Sequence, residues 1–206
     1  MNVGSLNISG TLGVGTASNV GTAGALLTSN GSGAAVSWKE PVYYSAHLTS
    51  DIIYNNIYAV PQNVTGLTVD TISHSSSFDA ATGIFTAPRD GLYYVDYGVL
   101  VTDHISPQDV FILVSRIDFR ANSSGTFTQH TGNIIITAAS QPSHVQSNVS
   151  SIIQLDTGSQ IRCVFQMIYE SNSNTAHGAK LLSKFDGPSP QRDSLRATRQ
   201  SVFAIF

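Results

Sequence analysis

One stretch of the chain, from Phe85 to Tyr97, constrains the fold more than any other. It reads Phe-Thr-Ala-Pro-Arg-Asp-Gly-Leu-Tyr-Tyr-Val-Asp-Tyr, so a turn containing proline and glycine leads directly into strict alternation. Side chains of a β-strand point alternately to the two faces of a sheet. The pattern therefore predicts that Tyr93, Val95 and Tyr97 point together into a sheet sandwich. Gly91 is expected at the tight turn before them because a side chain would obstruct it.

The composition indicates an all-β protein. Only 11% of the residues are charged, against about 25% in an average soluble chain. Glycine, serine, threonine and asparagine fill the connections between short alternating segments, as turns between strands require. The predicted strands are residues 43–48, 68–72, 91–101, 110–117, 133–137, 147–155, 160–168 and 201–206. An antiparallel sandwich or barrel is the expected architecture.

The stretch that begins at Phe85 resembles the signature of the complement C1q globular domain, a trimeric jelly roll of the C1q and tumour-necrosis-factor superfamily. Phe85, Gly91, Tyr93 and Tyr97 match the signature, and Val95 replaces its inner phenylalanine. Four further segments are similar to strands and turns of that family, namely residues 44–48, 78–85, 152–165 and 201–206. The resemblance implies a C1q-like jelly-roll head over residues 41–206 that assembles as a homotrimer.

Six apolar side chains in the strands of this head are predicted to lie in its core or in the trimer interface. They are Tyr93, Val95, Tyr97, Phe165, Phe203 and Ile205. The single cysteine, Cys163, cannot form an internal disulfide, and it is expected on the same face of its strand as Phe165, two residues away. It is predicted to be a small buried apolar residue.

The first forty residues have a different character. Apolar side chains alternate there with small polar ones, and a single chain of this kind has too little apolar surface to fold without neighbours. Residues 3–15 resemble repeats of phage and viral fibre shafts, and residues 21–38 resemble an element found before tail-fibre tip domains. For residues 21–38, a flexible Gly/Ser linker is the alternative. Residues 1–40 are thus predicted to be an extended anchoring or shaft segment whose anchoring side chains are Leu6, Ile8, Leu12, Val14 and Trp38.

The chain contains no familiar catalytic or nucleotide-binding motif, so it is predicted not to be an enzyme and to need no cofactor. Its six histidines are scattered, and it has no His-Glu-Xaa-Xaa-His helix, no phosphate-binding Gly-Lys-Ser/Thr loop and no Gly-Xaa-Ser-Xaa-Gly turn. Asp103, His104 and Asp109 share one predicted loop and are candidate Ca²⁺ or Zn²⁺ ligands, because several members of the resembled family bind Ca²⁺. Solvated loop side chains are the favoured interpretation.

Charge and hydropathy exclude two further classes of protein. A net charge of −3 with only ten lysines and arginines argues against nucleic-acid binding, which needs a clustered basic face. Apolar runs also fall short of the roughly 20 residues that span a bilayer.

These features bear on three possible functions. The first is a structural protein on the surface of a virion or phage particle, whose N-terminal segment contacts other capsid or fibre proteins and whose head faces a host-surface receptor or glycan. The second is an extracellular or spore-surface C1q-like adhesion protein. The third is a glycan hydrolase, which needs two carboxylates roughly 5–10 Å apart, and the sequence identifies no such pair. The first function accounts for both halves of the chain.

Overall fold

The computed structural model describes seven stretches of the chain. The described residues are 24–29, 35–55, 59–103, 111–136, 144–169, 178–183 and 197–205. Within these ranges, no helix is long and apolar enough to cross a membrane.

Contacts divide the chain into two compact units, with the boundary between Pro41 and Val42. In the first unit, β1 (Leu26–Thr28) pairs antiparallel with β2 (Ser37–Lys39), and Leu27 lies opposite Trp38. The Thr28 hydroxyl donates a hydrogen bond to the Ser37 carbonyl across this pair. The other predicted anchoring residues, Leu6, Ile8, Leu12 and Val14, lie outside the described residues, so the anchoring role of the segment stays a prediction.

The second unit is a sandwich of two antiparallel sheets. The first, called here the β9 sheet, has the strand order β4 (Ile52–Asn55), β14 (Gly178–Leu181), β9 (Gly91–Asp103), β15 (Arg199–Ile205), β3 (Tyr43–His47) and β6 (Thr68–Ile72), and β12 (Val145–Leu155) also pairs with β9. The second, the β13 sheet, has the order β11 (Thr128–Ile136), β10 (Phe111–Arg120), β13 (Gln160–Tyr169), β8 (Ile84–Thr86) and β7 (Phe78–Asp79), and β5 (Gln62–Asn63) also pairs with β13.

The predicted all-β antiparallel sandwich is confirmed, with differences in several strands. β10 and β11 extend beyond the predicted segments, to Arg120 and back to Thr128 respectively. β4, β5 and β14 were not predicted, because each is short and shows too few alternations to be recognised. The pair of β7 and β8 lies where the resemblance placed a hairpin.

The core lies between the two sheets and is rich in aromatic rings. Tyr44 stacks on Phe78 and Phe85, with ring centroids 4.3 and 5.3 Å apart. Phe85 in turn meets Tyr93 at 5.7 Å, so rings from both sheets form one chain of contacts. Such pairs contribute about 0.5–1.5 kcal/mol each beyond the area that they bury. Burial raises the pKa of the Tyr44 hydroxyl well above its ordinary value, so this group stays neutral.

Of the two glycines Gly83 and Gly91, only Gly83 occupies a position that a larger residue cannot take without strain. Its φ is +69°, and a Cβ there would lie 2.0 Å from the Val64 carbonyl oxygen. At Gly91 the nearest atom to a Cβ would be Tyr93 Cε2 at 3.8 Å, an ordinary contact. The expectation that a side chain at Gly91 would obstruct the turn is therefore wrong: the turn before β9 leaves room for a methyl group.

Candidate functional site

A row of large apolar side chains crosses the outer face of the β9 sheet, the face turned away from the core. Strand register places Phe203 of β15 opposite both Tyr43 of β3 and Tyr94 of β9. Ile152 of β12 lies opposite Tyr94 on its other side. Four adjacent strands thus each contribute one large apolar residue to a continuous row.

A second, shorter row runs beside the first. Ile205 of β15 lies opposite Leu92 of β9, two residues along each strand from Phe203 and Tyr94. Because side chains two apart point to the same face, the two rows form one surface. This surface is called here the apolar face and consists of Tyr43, Leu92, Tyr94, Ile152, Phe203 and Ile205.

The apolar face is open to solvent in one copy of the chain. Phe203 is 45% exposed, Ile205 42% and Ile152 57%. Scattered exposed apolar residues are normal on a protein surface, but contiguous patches mark sites of interaction. The arrangement therefore indicates a surface that another macromolecule covers.

Polar side chains continue the same outer face beyond the apolar rows. Asp96 lies opposite Ser201, and its carboxylate oxygen Oδ2 is 3.6 Å from Nε of Arg199. Farther across the sheet, His47 Nδ1 lies 3.0 Å from Asp70 Oδ1. Half of this face can thus bury apolar area, while the other half carries charged groups that favour one docking orientation over another.

Gly98 keeps the polar half of the face closely packed. A Cβ at this position would lie 2.8 Å from Asn148 Oδ1 and 3.5 Å from Arg199 Cγ. The Arg199 side chain thus lies across the backbone of Gly98, beside its ion partner Asp96. A larger residue would displace the arginine and the amide.

The structure divides the six predicted core or interface residues into two groups. Tyr93, Val95, Tyr97 and Phe165 are fully buried between the sheets. Phe203 and Ile205 belong to the exposed apolar face. Nothing in one copy of the chain tests whether that face is a trimer interface, which stays a prediction.

The sequence interpretation did not include the other four residues of the apolar face among its site residues. Leu92 and Tyr94 alternate with buried residues of β9, so parity alone shows that they point away from the core. Their cross-strand neighbours Tyr43 and Ile152 become visible only when the register of β3, β9 and β12 is known. The sequence signal that could have identified this surface is the presence of large apolar residues, Leu92 and Tyr94, at the outward-facing positions of β9.

The candidate metal ligands gain no support from the described residues. Asp103 ends β9, whereas His104 and Asp109 lie outside the described ranges. Across the parts of the chain that the structure describes, no group of three or more His, Cys, Asp or Glu side chains is placed to hold a metal ion. Cys163 is buried, and burial raises its pKa well above the ordinary value, so it is a poor nucleophile.

Comparison by sequence identifies no relative: no protein family matches the chain, and no characterised protein matches it.

Comparison by structure finds the tumour-necrosis-factor jelly roll. The structure of Eiger TNF from S. frugiperda has a TM-score of 0.52 at 10% identity, covering 81% of this chain and 93% of that one. Murine APRIL at pH 5.0 gives 0.52 at 11% identity, with 81% and 100% covered. The globular domain of zebrafish complement 1qA gives 0.47 at 13%, with 81% and 98% covered. The first two establish the fold of this chain as that jelly roll.

Proposed function

We propose that this chain is a non-enzymatic structural protein displayed on the surface of a virion or phage particle. In this proposal the jelly-roll unit is a homotrimeric head, and residues 1–40 attach it to other capsid or fibre proteins. The observation that carries the head's assembly is the exposed apolar face of the β9 sheet. The resemblance of residues 3–15 to fibre shafts supports display on a virion or phage particle.

Trimer formation accounts for the composition of the apolar face. Phe203, Tyr94 and Ile152 lie in one continuous row, so a partner that covers one of them removes neighbouring apolar area from water as well. Burial of this kind contributes about 25 cal/mol for each Å² of apolar surface. Three copies related by a three-fold axis close such contacts into a ring without leaving an open end.

The anchoring role rests on the alternating apolar residues near the start of the chain. Leu6, Ile8, Leu12 and Val14 are too few to form a core within one chain, and strands of this kind are stabilised by pairing with strands of other chains. The jelly-roll unit, in contrast, pairs its sheets and fills its own core. Attachment therefore belongs to the first segment and display to the second.

Immunogold labelling of purified particles tests this proposal. An antibody raised against residues 41–206 is expected to decorate intact particles, at the outer end of a projection. Antibody pre-absorbed with the same domain is the control and should leave the particles bare. Absence of the antigen from purified particles, with the protein recovered in the free extracellular fraction, would contradict display and favour the soluble adhesion function.

A further inference from the structure

Three arginines meet on the outer face of the β13 sheet, on the side of the sandwich opposite the apolar face. Arg116 and Arg120 lie on β10 with Asp118 between them. Strand pairing sets Asp118 opposite Arg162 of β13. The neighbouring Ile117 and Cys163 point into the core, so the charged side chains share the outward direction. Arg116, Arg120 and Arg162, with Asp118 and Phe127, are called here the arginine cluster.

Asp118 is the one acidic residue of the arginine cluster and is almost completely covered, with a side-chain exposure of 1%. Arg116 Nε lies 2.8 Å from its Oδ1, and Arg162 Nη2 donates to its Oδ2 at 3.0 Å. One carboxylate thus holds two guanidinium groups in fixed positions. Oriented donors of this kind bind a further anion with a smaller loss of side-chain entropy than free surface arginines.

The arginine cluster carries more positive than negative charge. One carboxylate faces three guanidinium groups. Apart from Asp118 itself, the residues paired with the three arginines are uncharged: Gly132 and Val164 beside Arg116, Gln160 beside Arg120, and Ile84 beside Arg162. This surplus stands out in a chain whose net charge is −3. Charge complementarity therefore favours an anionic ligand.

Phe127 adds a ring to the cationic groups. The guanidinium carbons of Arg120 and Arg162 lie 4.3 and 4.1 Å from its centroid, so both groups contact the ring. Arg120 also donates to the Gly125 carbonyl at 3.3 Å and bonds Gln160 Oε1, which fixes the loop that leads to Phe127. These contacts give Arg120 a structural role and cover one face of the Arg162 guanidinium group.

The contacts described so far do not use every nitrogen of Arg116 and Arg162. The hydrogen bonds and ion pairs of Arg116 and Arg162 with described residues use Nε and Nη2, and involve no Nη1. Both side chains keep access to solvent, with exposures of 19% and 24%. The Gln160 amide is occupied by Arg120 and Thr86. Gln129, opposite Asp118 on β11, and Thr86 on β8 lie on neighbouring strands, and their amide and hydroxyl groups suit the hydroxyls of a sugar.

We propose that the arginine cluster binds the carboxylate or sulfate group of an acidic glycan. Arg116 and Arg162 donate to the oxyanion, and the side chains of Gln129 and Thr86 on the neighbouring strands bind hydroxyls of the sugar. The inference deepens the proposed display function, on which it rests for its biological setting. The site itself lies within one copy of the chain, so it can be tested whatever the state of assembly.

Titration calorimetry of the full chain with three defined probes tests the proposal. The probes are 3′-sialyllactose, which carries a carboxylate, a sulfated heparin tetrasaccharide, and lactose as the neutral control. We expect one or both acidic probes to bind, more weakly at higher salt, and lactose not to bind. The acidic probe that binds identifies the source of the oxyanion. Failure of both, or equal binding of lactose, would overturn the proposal.

A matched pair of variants separates the site from general charge. Arg116→Gln leaves the Arg162–Asp118 pair intact and should weaken binding about tenfold, the effect of losing one charge-assisted hydrogen bond. Lys180→Gln removes the same charge from β14 and should change binding less than about twofold, because β14 belongs to the β9 sheet, whereas the arginine cluster lies on the β13 sheet. Equal weakening by both variants refutes a specific site.

Two further measurements keep the outcomes distinguishable. If Arg116→Gln does not fold, Arg116→Lys keeps the charge but loses the planar fork, and binding should weaken by a smaller factor. A glutamate-rich peptide that binds as tightly as the glycans would overturn the glycan assignment. Sedimentation of the same samples separates the two proposals: a monomer that binds the acidic probe contradicts the trimer alone, whereas a trimer that binds none contradicts this site alone.

Discussion

At the scale of single residues, glycine positions show how differently one residue type can be constrained. Gly83 and Gly158 both have positive φ, +69° and +85°, but only Gly83 is also crowded by backbone. Around Gly158 a Cβ would find nothing within 4 Å, and Gly91 has neither constraint. Conformational strain and steric exclusion are therefore separable in this chain.

Three alanine variants are predicted to fall in a definite order of stability. Gly83→Ala should lower the free energy of unfolding by about 3 kcal/mol or more, because strain adds to a clash with the Val64 carbonyl. Gly158→Ala should cost about 1 kcal/mol, from the positive φ alone. Gly91→Ala should change stability by less than about 0.5 kcal/mol.

Chemical denaturation of the three purified variants measures these differences. The midpoint and slope of each curve give the free energy of unfolding. A Gly83→Ala variant as stable as Gly91→Ala would show that the turn between β7 and β8 is not built as described.

At the scale of strands, prediction from sequence succeeded where one face is buried. β9 alternates strictly because Tyr93, Val95 and Tyr97 meet the core while their neighbours do not. The first part of β11, from Thr128, was missed because both of its faces carry polar or small side chains, as is common for an edge strand. Alternation of apolar and polar residues arises because one face of a strand is buried. A strand that buries little apolar surface therefore shows little alternation in its sequence.

The candidate sites show the same limit more strongly. Parity indicates that Tyr94 points away from the core, but only pairing of β9 with β15 and β12 reveals that Phe203 and Ile152 lie beside it. Arg116 and Arg162 are also far apart in sequence, and they meet at Asp118 through the pairing of β10 with β13. Which residues become neighbours depends on long-range register, which one sequence does not encode in a local pattern.

The apolar face yields a prediction about assembly at this scale. Phe203→Glu should convert the trimer to a monomer, because covering a carboxylate without a partner costs several kcal/mol at each of three symmetric contacts. The fold should persist, since Phe203 is 45% exposed in one copy. Ile84→Glu, on the outer face of the β13 sheet, is the control and should leave the assembly unchanged.

Sedimentation velocity and thermal melting together check this prediction. A monomeric Phe203→Glu variant that still melts in one cooperative transition supports the interface, and its melting temperature should be lower than that of the wild type because assembly stabilises the folded state. A wild-type chain that sediments as a monomer at micromolar concentration would falsify the trimer itself.

At the scale of the whole molecule, the two compact units predict a division of labour. The core of the unit from Val42 to Ile205 is formed by its own residues. Deleting residues 1–40 should therefore leave a folded head whose melting temperature lies within a few degrees of the full chain, but which no longer joins the particle. The deleted head should still compete for any surface that the intact particle binds.

Quantitative blotting of purified particles measures the attachment of the truncated head. Incorporation at the normal copy number contradicts anchoring by the first segment. Loss of folding in the truncated protein, seen by circular dichroism, contradicts the independence of the head and assigns the first segment a role in holding it together.

The pairing of β3 with β15 governs when this protein can become folded during its synthesis. Tyr44, near the start of the jelly-roll unit, lies opposite Val202, near the end of the chain. β15 also separates β3 from β9, so the sheet has a gap until the last strand arrives. Until β15 has been synthesised, the tyrosine-rich strands β3 and β9 lack the neighbour that lies between them. Folding of the jelly-roll unit is thus expected to wait for its last strand and to be slow, as is usual for paired strands so distant in sequence.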